Sequence, residues 1–131
     1  MTVTDKSSVA HESDEVFDAL ILGAGFGGMH MLHQLRADDF SVIALEAGET
    51  VGGAWYWNRY PGARCDIESL VYCYSFSPII DEEWTWSERY ATQPEILRYM
   101  NFVCDRLDLR KDIRFDSRVT SAKFDEATAM W

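Results

Sequence analysis

A glycine-rich loop between two apolar segments restricts the possible folds of this chain more than any other feature. The loop reads "GAGFGG" over residues 23–28 and follows "VFDALILG", a short and nearly continuous apolar run. Such a run predicts a strand that is buried on both faces inside a parallel sheet. A helical repeat with Met29, Leu32 and Leu35 on one side comes next, and "FSVIALEAG" is a second apolar run. Strand, turn, helix and strand within about 30 residues predict a right-handed βαβ unit.

The loop matches the dinucleotide-binding pattern G-x-G-x-x-G at Gly23, Gly25 and Gly28. The pattern alone is common, but here it follows a predicted strand and opens a predicted helix, which is the context it requires. Gly23 would permit the tight turn, Gly25 would let the backbone approach a pyrophosphate, and Gly28 would let the helix lie close to the strand. The pyrophosphate would sit at the helix N-terminus, so Phe26 and Gly27 belong to the same candidate cofactor-binding segment.

Glu46 ends the second apolar run, where an acidic residue can accept hydrogen bonds from ribose hydroxyls. A carboxylate at this position would repel a 2′-phosphate, so the site favours FAD or NAD over NADP. The motif does not separate FAD from NAD. The glycine pair Gly52 and Gly53 favours FAD, because residues without side chains let the backbone run past a flavin and its ribityl chain.

The remaining segments carry weaker signals. The pattern predicts a helix over residues 92–109, capped by Thr92, and short strands over residues 113–115 and 119–124. Residues 67–76 fit either a helix start or an extended segment, residues 78–91 are predicted to be irregular, and a turn is expected at residues 125–129.

With only two parallel strands, the predicted fold class is α/β, the N-terminal part of a Rossmann-like, doubly wound FAD-binding domain that is incomplete. We expect a disordered acidic leader over residues 1–15, a βαβ unit over 16–47, a flavin-proximal loop over 48–77, and a helix with strands over 78–131.

Composition excludes several function classes. The formal net charge of −10 argues against nucleic acid and anionic membranes as partners. No segment approaches the roughly 20 apolar residues of a membrane span. The odd number of cysteines, 3, favours reduced thiols in a cytoplasmic protein. His30 and His33 lack a nearby third ligand, so no metal site is predicted.

Residues 52–66, "GGAWYWNRYPGARCD", combine large aromatic side chains with glycine, proline and arginine. The aromatic side chains could form a wall against a flat flavin ring and keep water out, and the charged residues could lie near the ring's reactive edge. The same composition also fits a loop that packs into the core with its arginines in solvent. The residues by themselves leave both interpretations open.

The glycine loop, Glu46 and the loop ending "NRYPGARCD" together resemble the N-terminal FAD-binding region of Baeyer–Villiger monooxygenases, the class B flavoprotein monooxygenases. The following "IESLVYCYSF" is also similar to that family, and the likeness runs from about residue 16 to residue 131. The "NRYPGARCD" segment is the most specific part of this resemblance, because the glycine motif is shared by many flavoproteins.

The resemblance implies a role for individual residues. It places the glycine loop and Glu46 on the ADP half of FAD and Val119 near the adenine. It places the remaining cofactor contacts along the flavin or where the flavin meets NADPH; these are Gly53, Ala54, Trp55, Tyr56, Trp57, Arg64, Cys65, Asp66 and Tyr72. Asp66 is the implied catalytic residue, since the matching carboxylate of the family orients an active-site arginine beside the flavin.

The function implied by the resemblance is oxidation of ketones to esters or lactones with NADPH and O2. The family's F-x-G-x-x-x-H-x-x-x-W-P fingerprint, its NADPH-binding glycine motif and its active-site arginine are not among these 131 residues. We therefore expect this chain to be inactive alone and to have the missing C-terminal portion as a partner. The alternatives are a truncated, non-catalytic flavin-binding remnant and a flavin monooxygenase that oxygenates nitrogen or sulfur.

Overall fold

The computed structural model describes residues 15–131, so the predicted leader lies outside the described residues except for Glu15. Within this range the three strands and four α-helices follow in the order β1 (Ala19–Leu22), α1 (Phe26–Ala37), β2 (Val42–Leu45), α2 (Ala54–Trp57), α3 (Pro78–Glu83), α4 (Gln93–Arg106) and β3 (Ile113–Arg114). A single turn of 3₁₀ helix at Arg110–Asp112 leads directly into β3.

The strands form one parallel sheet in the order β1-β2-β3. Ala19 is opposite Val42, and Ala44 is opposite Ile113, so β2 is the central strand. The α/β class with a parallel sheet is thus confirmed. The expectation of only two parallel strands was wrong, because β3 supplies a third. It has two residues, too few for an alternating or apolar pattern to predict its pairing.

The prediction that the first strand is buried on both faces was also wrong. Leu20 and Leu22 are 51% and 61% exposed, whereas Ile21 on the opposite face is buried. Of the two faces of β1, only the one against α1 is covered by described residues. The central strand β2 has Val42, Ile43 and Ala44 buried in succession, and both of its faces are therefore covered.

Three further segments differ from the expectations. Residues 78–83, predicted to be irregular, form α3, which begins with Pro78 after Ser77 in the N-cap position. The long helix is α4, shorter than 92–109, and Thr92 is its N-cap without a side-chain capping bond. Residues 119–124 form no strand, although the turn expected at 125–129 is present and is closed by an isolated bridge between Asp125 and Met130.

Gly28 sets the distance between α1 and the turn that follows β1. A Cβ atom built on Gly28 would lie 2.0 Å from the carbonyl oxygen of Gly23 and 3.4 Å from Cγ2 of Ile21. A side chain at this position would therefore force the helix away from the strand. Gly27, the preceding residue on the same helix, has no atom within 4 Å of the corresponding position.

An aromatic cluster connects α1 to the second half of the chain. The Phe26 ring lies 5.1 Å from the rings of both Tyr72 and Tyr74, and 6.3 Å from that of Tyr99. The Tyr74 hydroxyl donates a hydrogen bond to the Phe26 carbonyl (2.6 Å), and the Tyr74 N–H donates to the Tyr99 hydroxyl (2.8 Å). Burial raises the pKa of Tyr74 above its ordinary value and that of Tyr99 to about 12, so both hydroxyls stay protonated at neutral pH. The first residue of α1 is thus fixed to the core by a ring and a hydrogen bond.

We expect Gly28→Ala to lower the free energy of unfolding by about 2 kcal/mol or more, since backbone atoms must move to admit the Cβ atom. Gly27→Ala should instead raise it by about 0.5–1 kcal/mol, because alanine loses less backbone entropy than glycine in a helix. Urea unfolding followed by circular dichroism measures both. Equal effects of the two substitutions would contradict the close approach at Gly28.

Tyr74→Phe should lower the free energy of unfolding by about 1 kcal/mol, because it removes the hydroxyl that binds the Phe26 carbonyl while keeping the ring. Tyr60→Phe is the matched control: Tyr60 is 64% exposed, and its loss of a hydroxyl should change stability by less than about 0.5 kcal/mol. Urea unfolding of both variants tests this prediction. A Tyr74 variant as stable as the control would show that the hydrogen bond contributes nothing.

Candidate dinucleotide-binding site

A cavity of about 440 Å³ opens at the carboxyl ends of β1 and β2, where parallel α/β sheets bind their ligands. Its walls come from three segments: the turn after β1, the end of β2 with the loop leading into α2, and the chain after β3. The lining residues are Leu22, Gly23, Gly25, Leu45, Glu46, Ala47, Gly53, Ala54, Trp57, Ser117, Arg118 and Val119.

The glycine loop lines this cavity and leaves backbone donors unpaired at the start of α1. Gly23 has φ = +91°, a conformation that favours glycine, and Gly25 is the N-cap of α1 without a side-chain capping bond. The first intrahelical bond joins the Met29 N–H to the Gly25 carbonyl. Among residues 15–131 no acceptor meets the N–H groups of Phe26, Gly27 and Gly28. Unpaired N–H groups at a helix N-terminus favour an anion.

Glu46 is 3% exposed, and both of its carboxylate oxygens are hydrogen-bonded. Oε2 accepts from the Ala24 N–H (2.6 Å) and Oε1 from the Gly48 N–H (2.7 Å). Each carboxylate oxygen can accept a second hydrogen bond, and Glu46 lines the cavity. Its side chain therefore holds the glycine loop in place and keeps acceptor capacity for hydroxyl groups inside the cavity.

The glycine loop and the loop before α2 touch through their backbones. Gly53 has φ = +53°, and a Cβ atom on it would lie 2.8 Å from the Cα atom of Gly25. The Gly52 N–H also donates to the Ala24 carbonyl (3.0 Å). A side chain at Gly53 would therefore push the two loops apart, and both glycines line the cavity with bare backbone. Backbone without Cβ atoms is what the close approach of a pyrophosphate requires, so the cavity fits the ADP half of a dinucleotide.

The aromatic residues of the 52–66 loop are divided between the cavity and the interior. Trp57 lines the cavity, whereas the Tyr56 ring lies against Gly48, where an added Cβ would be 2.7 Å from a ring carbon, and Cβ of Tyr56 lies close to Gly52. Trp55 is half-buried. Its Nε1–H donates to the Tyr72 hydroxyl (3.0 Å), and its carbonyl accepts from the Gln93 side chain. Loop packing thus accounts for Trp55, Tyr56 and Tyr72, and none of them lines this cavity.

The segment 64–66 lies apart from the cavity, along the residues that precede α4. Arg64 binds the Glu88 carboxylate (2.8 Å) and the Tyr90 carbonyl (3.0 Å), and the buried Cys65 donates its N–H to the Ala91 carbonyl. Asp66 is exposed and makes no hydrogen bond or ion pair with residues 15–131. Its carboxylate is therefore accessible to a partner group, while the backbone beside it is fixed.

The sequence did not single out five of the residues that line the cavity: Leu22, Leu45, Ala47, Ser117 and Arg118. Ser117 and Arg118 follow β3 in a polar stretch whose pattern predicts nothing beyond exposure. Val119, placed near the adenine by the resemblance, does line the cavity. Phe26, Gly27 and Gly28 do not line it; the Phe26 ring belongs to the aromatic cluster, and the N–H groups of all three lack an acceptor among residues 15–131.

Among the described residues, no helix is long and apolar enough to cross a membrane. All three cysteines, Cys65, Cys73 and Cys104, are unpaired.

Comparison with known proteins identifies relatives of this segment. Residues 21–79 match the family model of the NAD(P)-binding Rossmann-like domain. A Baeyer-Villiger monooxygenase of Pseudooceanicola batsensis is 49% identical over 116 residues, which are 88% of this chain and 21% of that protein. The phenazine N-monooxygenase PhzNO1 of Lysobacter antibioticus has the same identity and coverage. The crystal structure of OTEMO in complex with FAD and NADP superposes with a TM-score of 0.80 at 48% identity, covering 85% of this chain and 21% of OTEMO.

The chain thus spans about a fifth of the length of the curated relatives that it matches. The Rossmann-like fold and the family resemblance seen in the sequence are both confirmed. Over the segment that it spans, this chain is similar to a Baeyer–Villiger monooxygenase and fits the N-terminal portion of such an enzyme.

Proposed function

We propose that this chain is the FAD-binding portion of a flavin monooxygenase that uses NADPH and O2 to oxidise ketones to esters or lactones. The observation that carries the proposal is the cavity at the carboxyl ends of β1 and β2, which is lined by Glu46 and by Gly25, the N-cap of a helix whose first N–H groups are unpaired among residues 15–131. This donor and acceptor set suits a pyrophosphate joined to a ribose. Named relatives with FAD and NADP bound support the choice of cofactors.

Each part of the cavity has a separate role in holding FAD. The N–H groups of α1 bind the pyrophosphate, and Glu46 accepts hydrogen bonds from the ribose of the adenosine. Gly53 and Ala54 let the ribityl chain pass close to the backbone, and Trp57 covers it from water. FAD, when bound, supplies the oxygen chemistry; the protein supplies position, charge and exclusion of water.

Asp66 is the proposed catalytic residue of the complete enzyme. Its exposed carboxylate has no partner among residues 15–131, which leaves it accessible to an arginine supplied by the remainder of the enzyme. Arg64 and Cys65 fix the backbone on its N-terminal side through Glu88 and Ala91.

A cytoplasmic location fits the three unpaired cysteines. The small-molecule ketone, O2 and the remaining portion of the enzyme are the proposed partners.

Oxygenation of nitrogen is a second candidate reaction, because the phenazine N-monooxygenase is as similar to this chain as the Baeyer-Villiger monooxygenase is. Both relatives share this segment at 49% identity and carry names of different reactions. The segment therefore serves flavin binding in either case, and the choice of substrate atom lies with other residues. Mass spectrometry of products formed by the complete enzyme from a ketone and from an aromatic N-heterocycle separates the two.

Titration of the purified chain with FAD should shift the visible flavin absorption spectrum, and Gly25→Val should abolish this binding. A Cβ atom built on Gly25 would lie 3.4 Å from the Cα atom of Gly53, so the methyl groups of valine would push the loop before α2 away and distort the cavity wall that both residues form. Met31→Val is the matched control, since Met31 is an exposed residue of α1 outside the cavity. Unchanged FAD affinity of a folded Gly25 variant would remove the phosphate-loop assignment.

A further inference from the structure

Arg118 is placed at the cavity by its backbone. The segment after β3 continues along the end of β2, with the Asp116 N–H donating to the Gly48 carbonyl (3.0 Å) and the Ser117 N–H to the Glu46 carbonyl (2.8 Å). These bonds hold Ser117, the residue before Arg118, against Glu46, whose side chain binds the glycine loop. The side chain of Arg118 therefore starts from a defined point on the cavity wall.

The guanidinium of Arg118 has no carboxylate partner among residues 15–131. Its Cζ atom lies 5.9 Å from the centroid of the Trp57 ring, which also lines the cavity. Several other arginines of the described chain are paired with acidic side chains; these are Arg36, Arg64, Arg89, Arg106, Arg110 and Arg114. A cation–π contact orients a guanidinium without neutralising it.

Arg118 supplies the positive side-chain charge among the residues that line the cavity. Of the residues that line it, Glu46 is the acidic one and Arg118 the basic one. The chain as a whole carries a formal charge of −10, which opposes the approach of a pyrophosphate. The helix N-terminus offsets part of that repulsion through dipoles, but Arg118 is the full positive charge available on the wall.

We propose that Arg118 is a cofactor-binding residue whose guanidinium, held over Trp57, pairs with a phosphate of the ADP half of the bound dinucleotide. This inference rests on the proposed function of the same cavity. It adds a residue that lies outside the glycine motif and beside the adenine-side Val119. Arginine suits the role because its planar donors bind phosphate oxygens in pairs.

Isothermal titration of the chain with ADP, FAD and adenosine, each at low and high salt, tests the proposal. Arg118→Met should weaken ADP and FAD binding by about tenfold, the loss typical of a charge-assisted hydrogen bond. It should leave adenosine binding unchanged and reduce the salt dependence of ADP binding, since one charge pair is lost. Arg118→Lys keeps the charge and should retain most of the ADP affinity.

Arg114→Met is the control for net charge. Arg114 belongs to β3, is paired with Glu15 and lies outside the cavity, so its loss should leave ADP affinity unchanged. Equal weakening by the Arg114 and Arg118 variants, or no weakening by either, would overturn the proposal. If Arg118→Met weakened adenosine binding as much as ADP binding, Arg118 would act by stacking on the adenine and not by pairing with a phosphate, which would also overturn the proposal.

The same titrations separate this inference from the proposed function. If the unsubstituted chain binds ADP but not FAD, and Arg118→Met weakens ADP, the Arg118 assignment stands and the flavin function fails. If the chain binds FAD and Arg118→Met binds it equally well, the flavin function stands and the Arg118 assignment fails. If the unsubstituted chain binds neither ligand, both are wrong.

Discussion

The buried carboxylate of Glu46 is the interaction on which the cavity depends. Its side chain binds the N–H groups of Ala24 and Gly48, and its own N–H and carbonyl bind Arg114 and Ser117 across to the third strand. Burying a carboxylate is costly unless hydrogen bonds satisfy it, and here the backbone N–H groups of the two loops donate those bonds. One residue thus joins the ends of all three described strands. The glycine loop, the loop before α2 and the segment bearing Arg118 owe their relative positions to it.

The aromatic residues near the cavity mostly support it and do not line it. Trp55, Tyr56 and Tyr72 hold the loop, the Phe26 ring fixes the start of α1, and Trp57 alone of this group lines the cavity. The sequence left open whether this loop was a packed core element or a wall for a flavin. Its packed side faces the interior, and its glycines and Trp57 face the ligand region. Rigid support of this kind keeps binding groups in position before the ligand arrives.

The sequence was most informative where a backbone requirement selects the residue type. Gly23 adopts a positive φ and Gly28 lies against a carbonyl oxygen, so the motif predicted both the turn and the helix that follows. It was least informative where position depends on distant partners. The two-residue β3 is held by pairing with β2. Nothing in the sequence distinguishes Arg118 from other arginines; its place at the cavity follows from the hydrogen bonds that hold the chain after β3 beside Glu46. The exposure of Leu20 and Leu22 likewise depends on what covers the sheet, which an apolar run cannot state.

The backbone contact between Gly25 and Gly53 also affects how this segment can change. The two glycines lie in separate motifs, 23–28 and 52–66, yet a Cβ atom on Gly53 would lie 2.8 Å from the Cα atom of Gly25, so a side chain at Gly53 would displace the glycine loop. The two motifs therefore have to be compatible: in a chimera, an aromatic loop with a side chain at position 53 would force the glycine loop of the other parent to move. A crossover outside residues 23–66 avoids this constraint, because both halves of the contact then come from the same parent.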